Sequence, residues 1–219
     1  MLNLHVVFAV DRAGLVGDDG ETHHGIYDIG FLKQAPGMKI LCPVSIAEQV
    51  EMLTWAVEAC DGPVAVRYPR GSNGNYDGTD WENTLGTVKC HREGNDVVLI
   101  TYGTMLDNVM EAAQLLSEQG IEARVLRLLN VMPLPASQVL QQLGSCNNIV
   151  IIEETSAGSG IRHDLASAIR EYSPDCTISG MDLGGEFVTH GSKPLLLGAY
   201  GLDAGSIADY VKGAIHRED

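Results

Sequence analysis

From Val97 onward the sequence alternates short apolar runs with longer segments of helical period, and this alternation constrains the fold more than any other feature. Val97-Val98-Leu99-Ile100 reads as a strand, Thr104 to Gln119 as a helix stopped by Gly120, and Ala123 to Leu128 as a second strand. Ala136 to Leu143 reads as a short helix, Asn148 to Ile152 as a strand, Ile161 to Tyr172 as a helix and Cys176 to Met181 as a further strand. A closing helix after Asp203 carries Ile207, Val211 and Ile215 at successive i, i+4 positions. Parallel neighbours need a crossover, and a helix supplies it, so the pattern predicts an α/β fold with a mostly parallel sheet.

Upstream the same grammar is present in a shorter form. Val6 to Val10 is an apolar run that reads as a buried strand, Gly30 to Met38 as an irregular stretch, and Lys39 to Cys42 as a brief strand ended by Pro43. Ser45 with Glu48 three residues on forms a capping box, and Ile46, Val50, Leu53 and Val57 follow at the spacing of one helical face. Asp61-Gly62-Pro63 stops that helix, and Val64 to Tyr68 reads as a strand that delivers Pro69-Arg70-Gly71 at its end. Between Gly71 and Gly86 no apolar period is visible. The expected organisation is an incomplete α/β unit over 1–71, a linker over 72–87 and a second α/β domain over 88–219. A strand so near the start must pair with later segments or with an upstream piece, because unpaired backbone groups in a core are costly.

Charge and cysteine usage narrow the function classes. A formal charge of −15 over 219 residues repels a phosphate backbone, which argues against nucleic acid and anionic membrane surfaces as partners. The five cysteines are odd in number and widely spaced, so neither a disulfide framework nor a CxxC site is expected, and a reduced, cytoplasmic setting fits. The run Val6 to Val10 is too short to span a bilayer.

The candidate chemistry lies in the segment from Asp11 to Gly25, which gathers carboxylates, Arg12, two histidines and four glycines directly after the first strand. Asp19 and His23, four residues apart, are suited to hydrogen bonding and proton transfer at one ligand, though an Asx turn and a solvated histidine give the same spacing. Arg12 and Arg70 each stand at a strand end close to glycine, where a guanidinium suits a phosphate or carboxylate; ion pairing with the abundant acids is the alternative. Glu153-Glu154 through Gly160 lies at a strand end before a helix, but two glutamates disfavour a phosphate, and a structural turn is the expectation. His24 and His190 could be ligands, but such histidines are more often structural; no HxxxH pairing occurs and the histidines at 5, 91, 163 and 216 are scattered singly, so no metal site is expected within the chain.

These residues carry a resemblance. Asp11-Arg12-Ala13-Gly14, Gly17, Asp19-Gly20, Thr22-His23 and Gly25, then Ala65-Val66-Arg67-Tyr68-Pro69-Arg70-Gly71, resemble the 1-deoxy-D-xylulose-5-phosphate synthases of the thiamine-diphosphate transketolase family. Val150 to Glu154, Val188 to Ser192 and Tyr200 to Asp203 are similar to that family's C-terminal domain. The resemblance implies the C-terminal half of the pyrimidine-binding domain over 1–71 and the transketolase C-terminal domain over 88–219. It implies decarboxylating condensation of pyruvate with glyceraldehyde 3-phosphate, feeding isoprenoid, thiamine and pyridoxal synthesis. Arg12 and Arg70 would then hold the aldehyde's phosphate, while Asp19 and His23 would contact its hydroxyl and carbonyl groups and assist proton transfer.

The family's metal-ligating GDG…N segment and its cofactor-activating glutamate have no counterpart here. Thiamine diphosphate and Mg are therefore expected in a complete enzyme, held mainly by residues outside this chain, and the chain alone is expected to be inactive. The partners implied are the two small substrates, an N-terminal half or separate subunit, and a second copy in a homodimer. The alternatives are a non-catalytic docking subunit of a split synthase, or another transketolase-like enzyme such as a 2-oxoacid dehydrogenase β subunit, against which Tyr68-Pro69-Arg70-Gly71 argues. Ala157-Gly158-Ser159-Gly160 departs from the fuller glycine-rich turn common in the family.

Overall fold

A computed structural model describes residues 3–215; His216, one of the scattered histidines, lies outside them. Among the described residues, nine strands make two sheets. The first runs in the order β1 (Val7–Val10), β3 (Val64–Arg67), β2 (Lys39–Leu41) and β7 (Asn130–Met132). The second runs β4 (Val88–Arg92), β6 (Ala123–Leu128), β5 (Val97–Tyr102), β8 (Asn148–Ile152) and β9 (Thr177–Met181). Pairing is parallel except where β7 meets β2 and β4 meets β6, so the expected mostly parallel α/β architecture is present.

The helices are α1 (Asp28–Leu32), α2 (Ile46–Glu58), α3 (Met105–Ser117), α4 (Ala136–Gln142), α5 (Arg162–Tyr172), α6 (Lys193–Ala199) and α7 (Ala204–Ile215). All six residues of β5 are buried, as expected of a central parallel strand covered on both faces. On one side Val109, Ala113 and Leu116 of α3 pack with Ile207 and Val211 of α7, so the i, i+4 stripe at the chain's end does face the core. On the other, Leu165 and Ile169 of α5 join Ile100, Leu126 and residues of the first sheet in one continuous cluster. No helix of the described residues is long and apolar enough to cross a membrane.

Four expectations need correction. Val6 to Val10 is not a buried strand: β1 lies at a sheet edge, with Val6 and Phe8 about 40% exposed, and its partner β3 comes from later in the chain. The helix α2 is also turned round relative to its apolar stripe. Ile46, Val50 and Val57 are exposed, and the buried face is Glu48, Met52 and Ala56. The stretch Gly30 to Met38, read as irregular, begins inside the helix Asp28–Leu32, and β4, β7 and α6 had no apolar pattern strong enough to mark them.

The cause of the inverted helix is Glu48. Ser45 Oγ accepts the Glu48 N–H at 3.0 Å, the first half of the capping box. The carboxylate does not return to Ser45 N–H; it accepts Val44 N–H at 2.9 Å and Asp80 N–H at 3.1 Å, and receives Arg127 of β6 in a two-pronged pair at 2.7 and 2.8 Å. A fully buried guanidinium requires such partners, so the face carrying Glu48 turns inward and takes Met52 and Ala56 with it. Arg127 also reaches Asp80 at 2.8 Å and lies over the Tyr76 ring. The segment 72–87 contains no helix or strand, yet Asp80 and the buried Trp81, edge-on to Trp55 at 5.3 Å, fasten it to the molecule.

Candidate functional site

The segment after β1 closes on itself. Gly14 N–H donates to Gly25 O, while Gly25 N–H is shared between Arg12 O and Gly14 O, drawing the two ends of the loop together. Gly25 has to be glycine, since a Cβ there would collide with Arg12 O. Between these ends the chain makes two short 3-10 turns, Gly17–Asp19 and Glu21–His23. Asp19 and His23 thus stand on successive turns at the carboxyl end of the first sheet, where ligands of open α/β sheets bind.

Asp19 is the centre of an ion-pair cluster. Arg12 Nε donates to its Oδ2 at 3.0 Å, and Arg70, three residues beyond β3, pairs with its Oδ1. Arg12 also pairs with Asp11. The hydrogen bond from Arg12, with the charges of Arg70 and Arg12, holds the Asp19 carboxyl below the usual carboxylate range; Asp19 and Asp11 correspondingly raise the Arg12 pKa. Arg12 adopts a left-handed backbone, φ 60°, uncommon for a non-glycine residue. Three of the four residues singled out from the sequence are therefore in direct contact. His23 is not: its exposed ring bonds to Thr22 Oγ1 at 3.1 Å and reaches Asp19 only through space, as a charge that further lowers the carboxyl's pKa.

Arg67, Asp28 and Gly25 form a buried support for the cluster that the sequence reading missed. Arg67, the last residue of β3, donates to Asp28 Oδ2 at 2.7 Å and to Gly25 O at 2.7 Å. Burial penalises its charge, yet its pKa stands above the ordinary value, with the Asp28 carboxylate the leading contribution in that direction. One signal was available: an arginine ending the run Val64-Ala65-Val66 has to find a buried partner. Cys42, packed close by, has its thiol pushed up to about 12 by burial, and so offers no nucleophilic thiolate.

The loop is held from the other side by the second half of the chain. Glu154, just past β8 and 5% exposed, accepts Leu15 N–H at 2.8 Å and pairs with Lys193 Nζ at 3.0 Å. His24 is structural: its Nδ1 accepts Val16 N–H at 3.1 Å, and its Nε2 faces Thr189 O at 3.4 Å. The neighbouring Glu153 fills the turn before α5 with the protein's own carboxylate, accepting Ile161 N–H at 2.7 Å, Arg162 N–H at 3.0 Å and the Tyr102 hydroxyl at 2.9 Å. Burial raises the Glu153 pKa although all three donors favour the charged form. The run from Glu153 to Gly160 is accordingly a structural turn.

Among the described residues no group of three or more His, Cys, Asp or Glu side chains could hold a metal ion. Asp19, the central carboxylate, is already engaged by two guanidinium groups and does not suit a divalent cation.

Comparison with known proteins places this arrangement. Residues 2–74 match the family model of the transketolase pyrimidine binding domain, and residues 86–207 that of the transketolase C-terminal domain. A 1-deoxy-D-xylulose-5-phosphate synthase of Chlorobium luteolum is 40% identical over 214 residues, covering 96% of this chain and 34% of the relative. One from Geobacillus thermodenitrificans is 35% identical over 223 residues, covering 99% and 35%. The chain spans about a third of the length of the curated relatives it matches. A solved structure described as "Split gene transketolase, inactive beta4 tetramer" superposes with a TM-score of 0.83 at 26% identity, over 96% of this chain and 67% of that one. Two matching family models, one of them over more than half the chain, and a closely superposable structure lead to one conclusion: the chain belongs to the transketolase family, carrying its pyrimidine-binding and C-terminal domains.

Proposed function

We propose that this chain is the acceptor-substrate part of a 1-deoxy-D-xylulose-5-phosphate synthase, contributing to the decarboxylating condensation of pyruvate with glyceraldehyde 3-phosphate. The observation that carries the reading is the Arg12–Asp19–Arg70 cluster at the ends of β1 and β3. Two guanidinium groups at the mouth of a sheet suit a phosphate monoester. Asp19, kept ionised, accepts a hydrogen bond from the aldehyde's hydroxyl group once the phosphate draws the arginines away. His23, exposed on the next turn, is free to move a proton at the carbonyl oxygen. Residues 1–71 form the pyrimidine-binding part, 72–87 the connection and 88–219 the C-terminal domain.

Thiamine diphosphate and its Mg are held, in this reading, by a polypeptide corresponding to the rest of the relatives' length. That partner needs a surface, and the exposed apolar side chains support one. Leu4, Val6 and Phe8 flank the open edge of β1, and Ile46, Val50 and Val57 lie along the outer face of α2.

Co-expression of the chain with the N-terminal part of a synthase relative tests the proposal. Aldehyde-dependent release of carbon dioxide from pyruvate is expected from the pair and from neither part alone. In the reconstituted pair Asp19→Ala and Arg70→Ala should each lower kcat/KM by about 100-fold or more. Turnover by this chain alone, or a reconstituted pair indifferent to both substitutions, would overturn the reading.

A further inference from the structure

Between the opening loop and α6 lies an open cavity of about 380 Å³ whose charge runs against the composition of the whole chain. Arg70 and Lys193 line it, with Ser192 beside them and Leu15, Val16 and Pro194 as apolar wall. The chain has 14 Lys and Arg against 29 Asp and Glu, yet the lining described for this cavity holds cations and no carboxylate. Two cations facing one space is the least expected arrangement for a protein of charge −15.

The two cations arrive from opposite halves of the chain, Arg70 from the end of β3 and Lys193 from the start of α6. Each is steadied by one carboxylate placed outside the cavity lining: Asp19 for Arg70, and Glu154 for Lys193, whose Nζ lies 3.0 and 3.3 Å from its two oxygens. Neither is used up by its pair. A guanidinium has five N–H donors and an ammonium three, and Arg70 and Lys193 are 52% and 32% exposed. Arg12 does not line this cavity; it is turned to Asp11 and Asp19.

We propose that Lys193, assisted by the Ser192 hydroxyl, is a further substrate-binding residue, forming with Arg70 a seat for the phosphate dianion of a small phosphorylated substrate. This rests on the acceptor-site reading above and adds to it a binding residue from the C-terminal domain. Two cations across one cavity favour a dianion, which satisfies both, over a monocarboxylate, which satisfies one. The volume suits a compound of a few carbons with one phosphate.

Titration of inorganic phosphate into the purified chain at low ionic strength, followed calorimetrically with acetate as the control anion, tests this. Phosphate should bind and acetate should bind much more weakly. Arg70→Met and Lys193→Met should each weaken phosphate at least about tenfold, and Lys193→Arg should retain most of the affinity. Glu154→Gln decides between roles. It keeps an oxygen for Leu15 N–H and frees Lys193 from its competing charge, so a phosphate seat predicts tighter binding, whereas a purely structural Lys193–Glu154 pair predicts weaker binding. If Arg70→Met weakens phosphate and Lys193→Met does not, Lys193 is no ligand while the acceptor-site reading stands. If phosphate does not bind the unmodified chain, or binds it independently of Arg70, both fall.

Discussion

Arg127→Met is the sharpest test of how the two halves are held together. The substitution keeps an unbranched side chain of similar length and removes the charge. Glu48 then loses two hydrogen bonds, of 2.7 and 2.8 Å, at a carboxylate with no exposure to water, and is left with the amides of Val44 and Asp80. Asp80 suffers less, because Lys89 still stands 3.4 Å away. Removing one partner of a buried ion pair costs about 3–5 kcal/mol, most of it the penalty of the stranded charge. Set against a total stability of roughly 5–15 kcal/mol, that is a large fraction, and at ~2–4 °C per kcal/mol it lowers Tm by roughly 6–20 °C. Urea denaturation followed by circular dichroism measures it. Adding Glu48→Gln to Arg127→Met should recover part of the loss, because a neutral amide leaves no buried charge; the double variant is then less damaged than the sum of the singles. A loss for Arg127→Met of under about 1 kcal/mol, the range of exposed pairs, or strict additivity of the two substitutions, would refute the reasoning.

Two further outcomes follow from the loop. Gly14→Ala places a methyl group 2.5 Å from the Glu154 carboxyl carbon at a residue with φ 77°, so a loss of about 1–3 kcal/mol is expected. Amide exchange at Leu15 should accelerate while α3 stays protected, and an unchanged Leu15 amide would count against Glu154 as the loop's anchor. The Asp19 cluster should also respond to acid with a definite sign. A carboxyl depressed in the folded state binds fewer protons than in the unfolded chain, so its contribution is complete above the ordinary carboxylate pKa and is lost as pH falls through the depressed value, below about pH 4. NMR of the Arg12 Nε–H should show this transition, and Asp19→Asn should abolish it.

How much of this was legible in the residues depended on whether one periodicity dominated. The second sheet was, because the strands from Val97 on and the helices between them bury faces that their own spacing announces. The face of α2 was not: its apolar stripe pointed one way, and a buried guanidinium 79 residues later in sequence decided the other. A sequence-local pattern cannot register a partner that distant. The loop after β1 advertised its chemistry through composition, and Arg12, Asp19 and Arg70 do meet. Glu154, Lys193 and Arg67 went unassigned because each acquires its meaning from a residue brought up by tertiary folding.

The strand β7 has a consequence for biosynthesis. It lies between β6 and α4 in sequence, yet it completes the first sheet by pairing with β2, and Cys42 N–H donates to Leu129 O in the same crossing. The N-terminal sheet therefore stays one strand short until the chain has been synthesised past Met132, by which time β5 and β6 are also available. Closing so long a loop slows folding more than it weakens the final state. Until β7 is made, the edge of β2 that it covers stays open to other strands.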